Sequence, residues 1–299
     1  MGPATEAGPG PGDLLRLTHL HVHPVKSTAV RPVEQAEVLP RGLVDDRSWV
    51  VVDDAGVLVS ARELPGLLHV VTDTPATDPG LGAALRLRHA DVPDLLLPTP
   101  SGPTTRVRLF GHELRGVPVG ADADAWLARA LGRPDLHLVW CDDPTRRRLD
   151  PDHSLAGDHT AFADDFPVTL ASRSSLEQVD AWVRAERAAR GEPFAEPLRI
   201  ERFRPNLLVE GTEPFAEDRW THVQVGEVLF RVTKPVGRCV ITTLDPTTLQ
   251  GGKEPLRSLA RHHRIDGKAR FAVNLVPENP GTLRVGDEVT VRAGDAGRA

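Results

Sequence analysis

The feature that most constrains this chain is the recurrence of short apolar runs, most of them alternating with polar residues and several of them hinged on two-residue turns. HVQVGEVLFRV (222–232) alternates polar and apolar residues on both sides of Gly226-Glu227. A period of two puts one face of a strand on a core, and so short a turn folds the next strand back antiparallel. Comparable runs stand at 14–25, 33–39, 47–54, 206–211 and 239–245. Another stands at 57–61 after an Asp54-Ala55-Gly56 turn, and one at 282–292 is hinged on Gly286-Asp287. Strands this short bury their apolar faces by closing on one another, so a barrel or sandwich is expected.

Two helices interrupt the strands. ADADAWLARALGRP (121–134) predicts a helix capped by Asp122 or Asp124, with Trp126, Ala130 and Leu131 inward and Gly132 and Pro134 as stop. Ser174-Ser175-Leu176-Glu177 has the capping-box pattern, after which Leu176, Val179, Trp182 and Val183 recur at helical spacing until Gly191. The expected class is α+β, predominantly β, without internal repeats. Pro and Gly break 74–103 into loops with short strands. The polar stretch 141–166 reads as a crossing or a solvated surface loop rather than a site.

Composition removes several function classes. A net charge of −6 over 299 residues argues against binding nucleic acid, which needs a basic face. No run of about 18 apolar residues occurs, so no membrane partner is expected. Residues 1–13 lack a basic and an apolar region and read as a disordered leader, with 294–299 as a tail. Cys141 and Cys239 are the only cysteines, which is no disulfide framework and suits a cytoplasmic protein with reduced thiols.

Cys239 sits in KPVGRCVITTLDP (234–246). A buried cysteine is an inert small hydrophobe, whereas one beside Arg238 and near Lys234 can be a thiolate, hence a nucleophile or a soft metal ligand. The residues alone leave both readings open. Zinc-type spacing, a phosphate-binding glycine loop and a G-x-S-x-G elbow are absent from the sequence. His21 and His23 share a strand face as a weak metal pair, His262 and His263 read as surface residues, and Cys141 as a structural thiol. Lys26, Arg47, Arg204 and Arg238 open or close strands. Taken singly among 36 cations each is a surface charge; together with a thiolate they suit an anionic cofactor carrying a phosphate and a soft metal.

HPVKS, DDRSWVVVD, FRPNLLVEG, GRCVITTLDP, KEPL and NPGTLRVGDEV occur in that order between about residues 14 and 293. On these motifs the chain resembles the MOSC family, in the branch with an N-terminal MOSC β-barrel domain that includes the amidoxime-reducing components. The resemblance implies a MOSC N-terminal β-barrel domain over 14–135 packed against a MOSC β-barrel domain over 147–293. It implies the molybdenum cofactor, Mo-molybdopterin, with Cys239 as the metal ligand and catalytic residue. Lys26, Ser27, Arg47, Ser172, Arg204, Asn206, Gly237 and Arg238 match residues that hold the pterin and its phosphate.

Two departures stand out. Arg173 replaces an acid after Ser172, and Ala272 in FAVN stands where relatives often carry Gly. The implied activity is reduction of small N-hydroxylated compounds, hydroxylamines and amidoximes. The sequence has no cysteine cluster for an iron–sulfur centre, so electrons would come from a separate flavoprotein, ferredoxin or cytochrome. The alternative is a cofactor carrier or sulfur-transfer module without turnover.

Overall fold

The computed structural model describes residues 14–193 and 196–294. The expected leader, and the tail from 295 on, lie outside the described residues. The protein is α+β and mostly β. Its largest sheet runs in the order Val289–Ala293, Trp220–Val225, Val228–Gly237, Lys268–Pro277, Val168–Ser172, Leu207–Glu210, Arg16–Val22, Arg31–Val33. Neighbours are antiparallel except Val168–Ser172 beside Leu207–Glu210. Alternation does its expected work here. Val223 and Val225 are fully buried beside the exposed Thr221, and they join Leu17, Leu170, Phe230 and Leu275 in one core.

A second core lies under the N-terminal half. Trp49, Leu67, Leu85, Leu87, Trp126 and Leu138 fill it, between the sheet Trp49–Val52, His137–Trp140, His112–Pro118, Thr105–Leu109 and the sheet Val71–Asp73, Leu85–His89, Val92–Leu97. The halves are interlaced. The first two strands of the chain sit in the large sheet, and Gln35–Leu39 pairs with Gly281–Arg284.

Several local expectations change. The sheets are not closed barrels. The large sheet ends its ladders at Val289–Ala293 and Arg31–Val33. Backbone bonds from Leu17 N to Asp287 O (2.9 Å) and from Gly286 N to Leu17 O (2.7 Å) join Arg16–Val22, the strand next to one edge, to the turn before Val289–Ala293. Those same bonds occupy the Gly286-Asp287 turn, so its flanking strands pair elsewhere instead of with each other. The run 57–61 makes only isolated bridges, Val52 with Leu58 and Val57 with Arg108. The run 239–245 is a 3-10 turn, Val240–Thr243, because Thr242 and Thr243 return their hydroxyls to the carbonyls of Cys239 and Val240.

Helix α1 (Ala121–Leu131) starts at Gly120 without a side-chain cap; Asp124 instead binds His137 (2.8 Å). Helix α2 (Arg173–Ala189) is capped two residues earlier than expected. Ser172 is its N-cap and accepts from Ser175 N. A third helix, α3 (Leu256–His262), packs on α2. His263 is not a free surface residue: it stacks on Phe215 at 3.9 Å and its Nε2 pairs with Asp218 at 2.8 Å. Among the described residues no helix is long and apolar enough to cross a membrane.

Candidate functional site

Chain reversals at strand ends bring distant cations to one cleft of about 680 Å³. After Arg16–Val22 the chain turns through Ser27, whose φ of 71° is left-handed, and presents Lys26. Arg47 (φ 46°) precedes Trp49–Val52, and Arg204 (φ 52°) precedes Leu207–Glu210. Non-glycine residues in this region cost about 1–3 kcal/mol each and gather where the surroundings impose them for a purpose. Gly237 ends Val228–Gly237, and Arg238 and Cys239 follow it into the cleft. A Cβ at Gly237 would meet Arg270 Nη1 at 3.5 Å and Lys268 Cδ at 3.9 Å, both ordinary contacts, so close approach does not demand glycine there.

Each cation is held from behind. Lys26 is buried; Nζ donates to Phe162 O (2.8 Å) and pairs with Asp164. Burial pushes its pKa down to about 8, Arg147 and Arg47 add to this, and Asp164 opposes it. Arg47 donates to Asp46 (2.5 Å), Asn206 Oδ1 (2.9 Å) and Arg204 O (3.1 Å). Asp46 is buried, which alone would raise its pKa, yet Arg47 and His23 hold it down to about 2. His23 is kept neutral chiefly by burial.

Arg204 donates Nη1 to Thr28 O (2.7 Å). Arg238 donates Nε to Phe271 O (2.8 Å) and Nη1 to Phe203 O (2.9 Å), with its Cζ 5.7 Å from the centroid of the Phe203 ring and 5.6 Å from that of Phe271. Burial works against both charges. The Nη2 of each is buried without a hydrogen-bond partner. An unpaired buried donor on a cation is costly, and an anion is the natural group to relieve it.

Seven of the residues singled out in the sequence line the cleft: Lys26, Ser27, Arg47, Arg204, Gly237, Arg238 and Cys239. Two do not. Asn206 is buried behind Arg47; it accepts from Arg47 and Thr169 N and donates to His21 O (3.0 Å). Ser172 spends its hydroxyl on Ser175 and on Glu217, 3.0 Å away. The replacement at Arg173 is absorbed on the surface by Glu210 at 3.0 Å. Ala272 adopts φ 70°, the conformation for which glycine is suited.

The stretch 141–166 contributes more than expected. Asp164, Asp165 and His153 line the cleft, and Asp150 joins Asp165 in holding Lys234 (both 3.0 Å). Seven acids in a turn-rich segment gave no signal for which two would face inward. His21 and His23 are not a metal pair: His21 Nδ1 faces Pro205 O (3.2 Å) and His23 Nδ1 faces Asp46 (3.2 Å).

The donor set fits a molybdenum-bearing pterin phosphate. Nine cationic side chains line the cleft against two carboxylates, in a protein whose net charge is negative. Cys239 is half-buried, heads the 3-10 turn and offers a soft sulfur donor. Among the described residues no group of three His, Cys, Asp or Glu is poised around a metal. Cys141 is a different thiol: it is buried, and burial raises its pKa to about 11.

Known proteins bear on this arrangement. The MOSC domain profile matches residues 157–290, and the MOSC N-terminal beta barrel domain profile matches residues 14–134. The mouse protein named mitochondrial amidoxime-reducing component 1 is 32% identical over 292 residues, covering 91% of this chain and 81% of that protein. Its human namesake is 31% identical over 294 residues, covering 91% and 82%. A tomato molybdenum cofactor sulfurase is 26% identical over 91% of this chain but only 35% of its own length. With both domains matched in order, the chain belongs to the MOSC family, in the branch of the amidoxime-reducing components.

Proposed function

We propose that the cleft binds the molybdenum cofactor and that the protein reduces N-hydroxylated compounds such as hydroxylamines and amidoximes. The observation that carries this reading is one cleft lined by Cys239, Lys26, Arg47, Arg204 and Arg238, the last two each keeping a buried Nη2 donor unpaired. Lys26, Ser27, Arg47, Arg204 and Arg238 would hold the pterin phosphate, and Cys239 would ligate the metal. Asn206 fixes the Arg47 guanidinium from behind, so it is a positioning residue. When bound, the cofactor would supply a two-electron reductant and an acceptor for oxygen. Overall, the N–O bond breaks with uptake of two electrons and two protons, giving the N–H compound and water. A separate flavoprotein, ferredoxin or cytochrome in the cytoplasm supplies the electrons.

A single-turnover experiment tests this. The metal is reduced with dithionite, excess reductant is removed, and a hydroxylamine or amidoxime is added. Reoxidation with one amine or amidine formed per metal is expected. A reduced centre left unchanged by a panel of N-hydroxylated substrates, with the cofactor passing readily to an acceptor apo-enzyme, replaces the reductase with a cofactor carrier.

A further inference from the structure

The cleft contains an acid that an anion site does not need. Asp164 sits among the cations and pairs with Lys26. Its field reaches Lys26, Arg47, Arg62, Arg147, Arg204 and Arg238, so one carboxylate is the common counter-ion of the cluster. The two partners are held very differently. The Lys26 side chain is 5% exposed, whereas that of Asp164 is 67% exposed. The backbone behind Asp164 is pinned. Buried Arg147 donates to the carbonyls of Ala161, Ala163 and Asp164, the first at 3.2 Å and the last at 2.8 Å. The backbone is thus held by Arg147 while the exposed Asp164 carboxylate lines the open cleft.

We propose that Asp164 is a placeholder anion, which neutralises Lys26 while the cleft is empty and is displaced when the phosphate of the ligand arrives. The proposal deepens the cofactor reading and rests on it. Lys26 cannot stay unpaired in a buried, cation-rich site without cost. Two anions on one lysine would repel each other. An exposed carboxylate on a rigid loop resolves both states: it covers the lysine in the first and turns to water in the second. Lys234 differs in that two acids, Asp150 and Asp165, share it at 3.0 Å each.

Inorganic phosphate, titrated into the full chain free of cofactor, is the probe. Melting temperature and binding heat are read for the wild type and for Asp164→Asn. In phosphate-free buffer the variant should melt lower, because the cations have lost their shared counter-ion. It should bind phosphate about tenfold more tightly, the scale of removing one like charge beside a bound anion near a protein surface. A measurement on the wild type stands independently of how well the variant folds. Carbodiimide labelling of the Asp164 carboxylate, followed by peptide mass spectrometry, should rise severalfold when phosphate is added.

If the wild type binds phosphate but Asp164→Asn binds it no better and labelling does not rise, the placeholder is overturned and the cofactor reading stands. Should neither protein bind phosphate, the anion pocket fails and takes the placeholder with it.

Discussion

The two walls of the cleft hold their cations in opposite ways. On one wall Arg204 and Arg238 are fixed by backbone carbonyls, Thr28 O, Phe203 O and Phe271 O, and each keeps one buried donor unpaired. On the other, Lys26 and Lys234 are met by carboxylates from 141–166. A carbonyl orients a guanidinium without neutralising it, so Arg204 and Arg238, though within the field of Asp164, stay cationic toward an outside anion. A carboxylate cancels the charge it meets, so the lysine wall must exchange one anion for another. The planar arginine fork suits the first task and the compact ammonium the second. Anchoring and exchange are thereby separated within one cleft.

The largest effect should come from the arginine wall. Replacing Arg238 by Ala removes a charge-assisted contact worth about 1.5–3 kcal/mol, so cofactor occupancy should fall about 10- to 100-fold. Denaturant unfolding should also show a loss of about 1–3 kcal/mol, since the carbonyls of Phe203 and Phe271 lose their donor. Arg238→Lys should recover little of either, because an ammonium cannot reach both carbonyls and an anion at once. Full recovery by lysine would erase the distinction between the walls.

On the lysine wall the loss should be milder. Lys26→Met should weaken phosphate binding by about tenfold or less, because the free protein already spends part of that charge on Asp164. Adding Asp164→Asn to it should restore part of the affinity, as calorimetry on the double variant would read. Strict additivity of the two changes would place the residues in independent roles.

Protonation sharpens the contrast further. Lys26 is held near 8, below its ordinary value of 10.5, first by burial. Between these values the unfolded chain carries more protons at this position than the folded one, so the Lys26 contribution to stability rises with pH. Phosphate affinity should move the other way, falling as pH rises through 8 and Lys26 loses its charge. Lys26→Arg should flatten that fall, which titrations at pH 7 and pH 9 would measure.

Much of this was legible in the sequence, though unevenly. Alternation located the strands around Val223, Val225 and Phe230 because a strand face is a local property. It could not say that Gly286-Asp287 would be taken by Leu17, since that depends on a strand some 270 positions away. The motifs around Lys26, Arg47, Arg204 and Arg238 pointed to residues that do share a cleft. They could not separate a lining residue from one directly behind it, which is how Asn206 differs from Arg47. Ser172 carried the right residue type for an anion contact but is used as a helix cap. Asp164 was hidden among similar acids because what distinguishes it is Arg147 pinning its backbone.

The smallest predicted effect concerns the strand that supports both walls. Ala272 holds φ 70° next to Phe271, whose carbonyl receives Arg238. Ala272→Gly should relieve strain and stabilise the fold by about 1 kcal/mol, read as a rise of a few degrees in Tm, with cofactor occupancy unchanged.

The central claim is that Cys239 gives its sulfur to a molybdenum held by the arginine wall. Its most direct test is metal analysis combined with molybdenum X-ray absorption on the purified wild type and Cys239→Ser. The account predicts about one molybdenum per chain with a pterin, and one fewer sulfur donor at the metal in the variant. Wild-type protein without molybdenum, or a sulfur count unchanged by the substitution, would contradict it.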